Sequence, residues 1–563
     1  MNWDTTVDVL IVGSGNGGLT AALCCYEMGA KNTLVIEKAD KYGGTSSYSG
    51  GGIWIPCNQY AQAAGAQDSL QDASAYLHAV LPHERIDTSL IDVYLKTAPE
   101  MLSFLTERTQ VKYRDLPMYP DYFSDAPGAK SGHRSLEPEP FSGEKLGKEW
   151  DNLTPTNHQM YIQGVIGITQ AEAHEVYAGL PGWKSLAAKL VLQYLLDIPW
   201  RLKTRMARRI TCGAAGIARL RASMMDRDLP LWLNTRLVDL VYENGRVEGA
   251  VVEKAGKRMA IRATRGVILA AGGFEKNQAM REKYLPKPTN AAWSAAAWSN
   301  TGDAILAGEK IGARLSNMNS AWWCTTICAP DLLPQLSITE KSYPGSCVVN
   351  KNGRRIANES QNYMSWMLEA FARHTPENPS APAYMVFDAR FRRSYLTGPL
   401  LKSSMRPDFI LPKKWFESKF IAKANTIADL ARQIDVDVKG LEKTIADMNR
   451  YAQAGKDEEF NRGEALYDRY YGDPRISPNP CLAPIVEAPF YAMKIELGDF
   501  ATNGGLVTDA DARVRNTNGE AISGLYAVGN TSAGLLVTYP GPGSTLGPAM
   551  TFAYRAARHL CNV

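Results

Sequence analysis

Near its C-terminus the chain reads TYPGPGSTLGPAM, Thr538 to Met550. One phenol, Tyr539, stands before a run of proline and glycine. Proline fixes φ and glycine frees the backbone, so one reading is a rigid turn with no further task. The other is that the turn brings backbone N–H groups and a phenol to one point, two kinds of hydrogen-bond donor for one acceptor. A second group of residues, at the opposite end, suits a different chemistry. In GSGNGG the glycines Gly13, Gly15 and Gly18 stand in G-x-G-x-x-G spacing, and Glu37 follows nineteen residues after Gly18. Such glycines let a pyrophosphate approach a helix N-terminus, and such an acid accepts hydrogen bonds from a ribose.

Both groups need elements that position them. VDVLIVG (Val7–Gly13) is a continuous apolar run, as expected of a buried parallel strand. LTAALCCYEMGA after the glycines is helical in pattern, and NTLVIEK is a second strand that ends at the acid. Strand, glycine triplet, helix, strand and terminal acid in this order predict a dinucleotide-binding βαβ unit, whereas a lone glycine triplet is weak. The 563 residues are enough for two or more domains. With 62 basic against 58 acidic residues, no global charge suggests nucleic-acid binding. Nine cysteines without a CxxC pair or zinc spacing read as reduced thiols of a cytoplasmic protein, and no metal site is expected. The first residues, MNWDTTVDVLIVGSG, carry no signal-peptide pattern, and no apolar run reaches the roughly 20 residues of a membrane span.

The segment EKADKYGGTSSYSGGGIWIP (Glu37–Pro56) resembles flavoproteins of the fumarate reductase and succinate dehydrogenase type, in which it runs beside the flavin. GVILAAGGFEKN (Gly266–Asn277) and GLYAVGNTSAG (Gly524–Gly534) fit the same picture, and no second fingerprint for a nicotinamide cofactor is found. The resemblance implies FAD, held non-covalently, since no histidine or cysteine is positioned for a linkage. The contacts it implies are Gly13, Ser14, Gly15, Asn16, Gly17, Gly18, Glu37, Lys38, Gly44, Thr45, Ser46, Val238, Ala271, Gly272, Gly529, Asn530 and Leu546. The expected fold is α/β, with a Rossmann-like FAD-binding domain in three pieces (1–125, 230–319 and 497–563). A mixed α/β catalytic domain is expected at 320–496 and an insertion at 126–229.

TYPGPGSTLGPAMTFAYRAA, with DEEFNRGEALYD, GRRIANESQNY and YPDYFSDAPGAKSGHRSLEP in matching order, resembles the 3-ketosteroid Δ1-dehydrogenase family over nearly the whole chain apart from the insertion. That family desaturates the C1–C2 bond of a 3-keto-4-ene steroid ring. The resemblance implies that the Tyr539 hydroxyl and the Gly543 N–H hold the C3 carbonyl oxygen as it gains enolate character. It implies Tyr363 as the base for the C2 proton and Tyr122 as its hydrogen-bond partner, with hydride passing from C1 to flavin N5. Tyr119, three residues from Tyr122, competes for the supporting role. An unperturbed tyrosine titrates near 10, so a working tyrosinate needs a donor or a positive charge beside it. An external electron acceptor, quinone- or dye-like, is expected. Three other readings share the FAD motifs: a 3-ketosteroid Δ4-(5α)-dehydrogenase, a fumarate-reductase-like enzyme, and a membrane-recruited electron-transfer flavoprotein that is not an enzyme.

The insertion holds GWKSLAAKLVLQYLLDIPWRLKTRMARR (Gly182–Arg209), with seven basic residues and one acid, Asp197. Ser185, Lys189, Gln193 and Asp197 recur every four residues, a narrow polar stripe on an apolar helix. Two readings fit this pattern. The apolar face packs on the protein core, or the helix is an interfacial anchor that sets the enzyme peripherally on the inner face of the cell membrane.

Overall fold

The computed structural model describes residues 2–563. Its first sheet is built on the expected βαβ unit. Thr5–Val12 is buried without a break from Val9 to Val12, and it lies between Thr33–Ile36 on one side and Lys257–Leu269 on the other, parallel to both. Ala521–Ala527 adds to Lys257–Leu269, again parallel. Val12 is in register with Ile36 and with Leu269, and Leu269 with Ala527. Four parallel strands drawn from the beginning, middle and end of the chain therefore finish level at one edge. Leu231–Trp232 extends the sheet beside Thr33–Ile36, and the antiparallel pair Thr235–Glu243 and Arg246–Lys254 completes it with Arg513–Arg515. The helix Asn16–Glu27 is buried from Asn16 to Cys25, because Leu546–Cys561 packs on one of its flanks and Cys212–Met225 on another.

The second sheet is antiparallel. Ala321–Ile327, Phe490–Thr502, Ala383–Phe387 and Ser346–Val349 form its main path, with Gln335–Leu336 at one edge and Ile421–Ala424 paired to Phe490–Thr502. Ala321–Ile327, Ser346–Val349 and Ala383–Phe387 are buried at every residue, which is why they lack the apolar–polar alternation of a half-exposed strand. Thr502, at the end of its longest strand, reaches back to the first sheet's region by accepting a hydrogen bond from the Phe274 N–H at 2.9 Å.

Two of the matched motifs meet in this half of the molecule through buried charges. Arg355 donates to Glu359 at 2.6 Å and to Asp457 at 2.8 Å. Arg462 reaches Glu359 at 3.3 Å and donates to the carbonyls of Ser346 and Tyr343 at 2.7 and 2.9 Å. GRRIANESQNY and DEEFNRGEALYD are thereby tied, which sets Tyr363 and Tyr467 on facing segments.

The 126–229 stretch is packed unevenly. Ser135–Pro138 pairs with Ile53–Trp54 and with Tyr113–Asp115, and Cys212–Met225 is buried along nearly its whole length. Between them, Trp183–Leu196 buries only Leu190 of its fourteen residues. All nine cysteines are unpaired.

Removing one partner of a buried ion pair strands the other, at a cost of about 3–5 kcal/mol. Arg355→Met should lose that much stability by urea unfolding; a loss under about 1 kcal/mol would show that the two motifs are held together by their apolar contacts instead.

Candidate active site

The level edge of the first sheet makes a cavity. The loops that leave its four strands, Gly13–Gly17, Glu37–Lys38, Ala270–Gly272 and Val528–Asn530, all line it. Gly13 has φ +111° and a Cβ there would overlap the Ala270 carbonyl, so the turn can only be built with glycine. Gly18 is not in the lining; its Cα faces the Gly13 carbonyl too closely for any side chain. It lets the helix close on the strand, the packing role of a third glycine. Two helices, Asn16–Glu27 and Leu546–Cys561, begin at this cavity without a side-chain cap and without an acid in their first turns. Their free N–H groups and dipoles favour an anion there.

Glu37 is 8% exposed. One of its oxygens accepts from the Ser14 N–H and hydroxyl at 3.1 and 2.6 Å, and the other accepts from the Ala39 N–H at 2.9 Å. A lone pair remains on the second of these oxygens for a ribose. Among the described residues Asn16 Oδ1 is buried without a hydrogen-bond partner, and Asn16 lines the cavity. Uncapped helix ends, an acid with spare acceptor capacity and an orphaned amide fit a dinucleotide.

Gly44, Thr45, Ser46, Ala271, Gly272, Gly529, Asn530 and Leu546 also line the cavity, as does Lys38, whose ammonium is held by Asp303 at 2.9 Å. Val238 does not. It falls at the irregularity between Leu237 and Asp239, and Thr235 and Leu237 take the place expected for it. Asn300, Thr301 and Asp303 line the cavity as well. Their signal was the sequence Asn-Thr-Gly-Asp, a glycine turn opening a helix at Asp303.

The aromatic site lies where the C-terminal turn meets the second sheet. Tyr122 donates to the Tyr363 hydroxyl at 3.3 Å. Tyr539 stands 5.5 Å from Tyr363 and 5.7 Å from Tyr122 between ring centroids. Phe500 and Trp322 close the group at 5.9 and 5.4 Å from Tyr539. Burial pushes the Tyr539 phenol above its ordinary value, while hydrogen bonding to Tyr363 and to the Gly543 N–H draws it back. Thr545 acts on the phenol in the same direction, and the Gly543 amide lies beside the phenol oxygen. Tyr119 does not hold Tyr363; its hydroxyl pairs with that of Tyr471 at 2.5 Å. Tyr467, 4.7 Å from Tyr122, and Tyr470, stacked 4.3 Å from His174, extend the aromatic wall. Sequence reading gave these no role, because single tyrosines carry no spacing signal.

Burial pushes Tyr363 well above the usual tyrosine value, as do the neighbouring Tyr539 and Tyr119, and only the hydrogen bond from Tyr122 opposes this. The turn itself is held from behind. The Pro540 carbonyl accepts from the Tyr122 N–H at 2.8 Å and from the Tyr76 hydroxyl at 2.5 Å. Trp54 N–H reaches the Gly543 carbonyl at 3.3 Å, and its indole donates to Asp121 at 2.7 Å. Asp121 is in turn paired with Arg134 at 2.7 Å.

Comparison with known proteins gives the family. A family model described as an FAD binding domain matches residues 8–546. The 3-oxosteroid 1-dehydrogenase of Mycobacterium tuberculosis is 38% identical over 99% of this chain and 98% of its own length. The crystal structure of 3-ketosteroid delta1-dehydrogenase from Sterolibacterium denitrificans in complex with 1,4-androstadiene-3,17-dione is 43% identical, with a TM-score of 0.96, and covers 99% of this chain and 100% of that one. This chain belongs to the 3-ketosteroid Δ1-dehydrogenase family. It is an FAD-dependent oxidoreductase. The 4-oxocyclohexanecarboxylate 2-dehydrogenase of Sinomonas cyclohexanicum is also similar, 33% identical over 99% of this chain and 93% of its own length.

One buried acid behind the cofactor cavity gives the fold a pH dependence. Glu275 accepts from Asn300, a cavity residue, at 2.5 Å and from the Thr502 N–H at 3.2 Å. Burial pushes its carboxyl from 4.5 up to about 7, the nearby Asp499 adding to the effect. Its contribution to stability is present in full below 4.5 and is lost as pH rises through about 7. Glu275→Gln, neutral throughout, should flatten the dependence of Tm on pH between 4.5 and about 7. Parallel curves for variant and parent would remove Glu275 as the cause.

Proposed function

We propose that the protein removes hydrogen from C1 and C2 of a 3-keto-4-ene steroid. The observation that carries this is the packing of Tyr539, Tyr363 and Tyr122 in one buried group, on a chain 43% identical to an enzyme solved with 1,4-androstadiene-3,17-dione. Residues 1–125, 230–319 and 497–563 form the FAD-binding domain and 320–496 the catalytic domain, with 126–229 inserted between the first two FAD segments.

Each residue has a task that follows from its chemistry. The ketone oxygen of the substrate takes the position between the Tyr539 hydroxyl and the Gly543 amide. Two fixed donors there stabilise the negative charge that arises as C2 loses its proton. Tyr363, as phenolate, takes that proton and becomes a phenol. Tyr122 donates to the Tyr363 oxygen and lowers the cost of the phenolate. FAD, bound non-covalently through the cavity residues including Glu37 and the glycine turn, supplies the acceptor for the hydride from C1. An external electron acceptor, quinone- or dye-like, would take up the electrons that the substrate loses.

The insertion is the membrane-facing element in this reading. Leu192, Leu195, Leu196, Ile198 and Leu202 are between 47% and 84% exposed, so the apolar face of the helix is not spent on the core. Among the described residues Lys184, Lys189, Arg201, Lys203 and Arg205 take part in no ion pair, and no helix is long and apolar enough to cross a membrane. Exposed leucines rimmed by free cations suit the surface of an anionic bilayer, from which a water-insoluble steroid can be drawn.

Anaerobic addition of androst-4-ene-3,17-dione should bleach the bound flavin and give the 1,4-diene, identified by mass and NMR. No bleaching, or desaturation only of a 5α-reduced steroid at C4–C5, overturns the reading. Tyr539→Phe should cost roughly 100- to 1000-fold in turnover, as the loss of an oxyanion donor does, and Tyr363→Phe should abolish turnover with steroid binding retained. Because burial raises Tyr363, kcat should climb with pH through the alkaline range, and Tyr122→Phe should move that rise to still higher pH; profiles that coincide would exclude Tyr122 as the partner.

The protein should cosediment with anionic vesicles, less so as salt rises. Changing Leu192, Leu195 and Leu196 to Ser should release it without altering Tm. Binding that survives the triple change places the contact elsewhere.

A further inference from the structure

A second cavity lies under the Trp183–Leu196 helix, away from the residues of the flavin and tyrosine sites. It is a cleft open to solvent on one side, with room for about 270 Å³. Its apolar walls are Phe141, Ile166, Leu190, Trp200 and Ala207, all at most 8% exposed, and Ser142, Gln193 and Asp197 add polar atoms to the lining. An engineered apolar cavity of about 150 Å³ binds benzene, which sets the scale for a guest here. The Trp200 ring is a fixed wall rather than a loose lid. Its N–H donates to the Met206 carbonyl at 3.0 Å, and its ring meets Trp150 edge-on at 5.2 Å.

The rim is basic, and its charges are not equivalent. Arg208 is spent on Asp197 at 2.6 Å and Glu144 at 2.5 Å. Arg209 is spent on Glu172 and the Gly167 carbonyl, both at 2.6 Å. Arg201 has no acid partner among the described residues; its guanidinium donates to the Leu195 carbonyl at 3.1 Å and lies 5.0 Å over the Tyr194 ring. One free cation at the mouth of one apolar void selects a molecule with one anionic head and one hydrocarbon tail. By scale with benzene, the void takes roughly ten carbons, which is a single chain and not the two of a membrane phospholipid.

We propose that this cavity binds a free fatty carboxylate, its chain against Leu190 and Trp200 and its head on Arg201. The site is independent of the bilayer contact proposed above, since it needs no vesicle. The whole FAD-loaded enzyme is titrated calorimetrically with decanoate in the absence of lipid, and the titration is repeated with dodecanoate or with androst-4-ene-3,17-dione present. One saturable site should appear, displaced by dodecanoate and not by androst-4-ene-3,17-dione. Ala207→Trp fills the void and should abolish binding, while its vesicle cosedimentation and steroid turnover stay at the parent level. Arg201→Gln, on the surface and without risk to the core, should weaken binding by about tenfold or more, the loss expected of a charge-assisted hydrogen bond. No saturable binding, displacement by the steroid, or affinity unchanged in Arg201→Gln would each overturn the proposal.

Discussion

Everything in the catalytic half depends on one backbone contact. The turn after Tyr539 lies against the two-residue strand Ile53–Trp54 so closely that a Cβ on Gly543 would sit 2.5 Å from the Ile53 backbone. Gly543 has φ +101° and Tyr539 φ +62°, conformations that only such an external constraint holds in place for a tyrosine. The strand comes from the segment that follows Glu37, and the turn directly precedes the helix Leu546–Cys561 that packs on the glycine-motif helix. The donors proposed for a ketone oxygen and the cavity that suits the cofactor are therefore set by the same pieces of chain. Their relative position is a matter of packing, with no mobile loop between them.

The support behind that contact is polar and buried, which raises the stakes. Trp54, Asp121 and Arg134 form a chain of hydrogen bonds in which Arg134 and Asp121 are each 2% exposed. Arg134 also holds Asp68 at 2.7 Å, so neither charge is left uncompensated. Satisfied networks of this kind rigidify what they touch. In front of the turn the arrangement is the opposite: a group of phenols with no cation among the partners of Tyr363. An apolar, hydrogen-bonding pocket of this kind suits a neutral ketone. It makes the phenolate costly to form and correspondingly basic once formed, which is the property needed to take a weakly acidic C–H proton.

The inserted stretch follows another logic. Its ends are woven into the main body through Ser135–Pro138 and Cys212–Met225. Its middle keeps a small core of its own around Ile166, Ile168, Ala173 and Leu190. A helix that buries one residue and exposes a row of leucines gains little from its own protein. Of the basic residues around it, Arg208 and Arg209 are paired with acids. Lys184, Lys189, Arg201, Lys203 and Arg205 have no acid partner among the described residues, and both the bare leucines and these cations point outward.

The sequence by itself determined the nucleotide-binding unit. Glycine spacing, apolar strands and a terminal acid act over fewer than forty residues, and the turns that these glycines allow are local backbone geometry. The tyrosine turn was legible for the same reason, since proline and glycine state their constraints in place. The family resemblance named Tyr122 over Tyr119 as the partner of Tyr363, but the residues' own spacing did not, because both sit on one loop and the physical choice rests on Tyr471 and Pro540, hundreds of residues away. Tertiary structure alone set Leu237 rather than Val238 at the cavity, through a strand irregularity that no residue type announces. The Trp183–Leu196 helix is the clearest case. Its apolar stripe is the same whether it faces a core or a solvent boundary, and only the rest of the fold, by covering Leu190 and leaving Leu192, Leu195 and Leu196 bare, distinguishes the two.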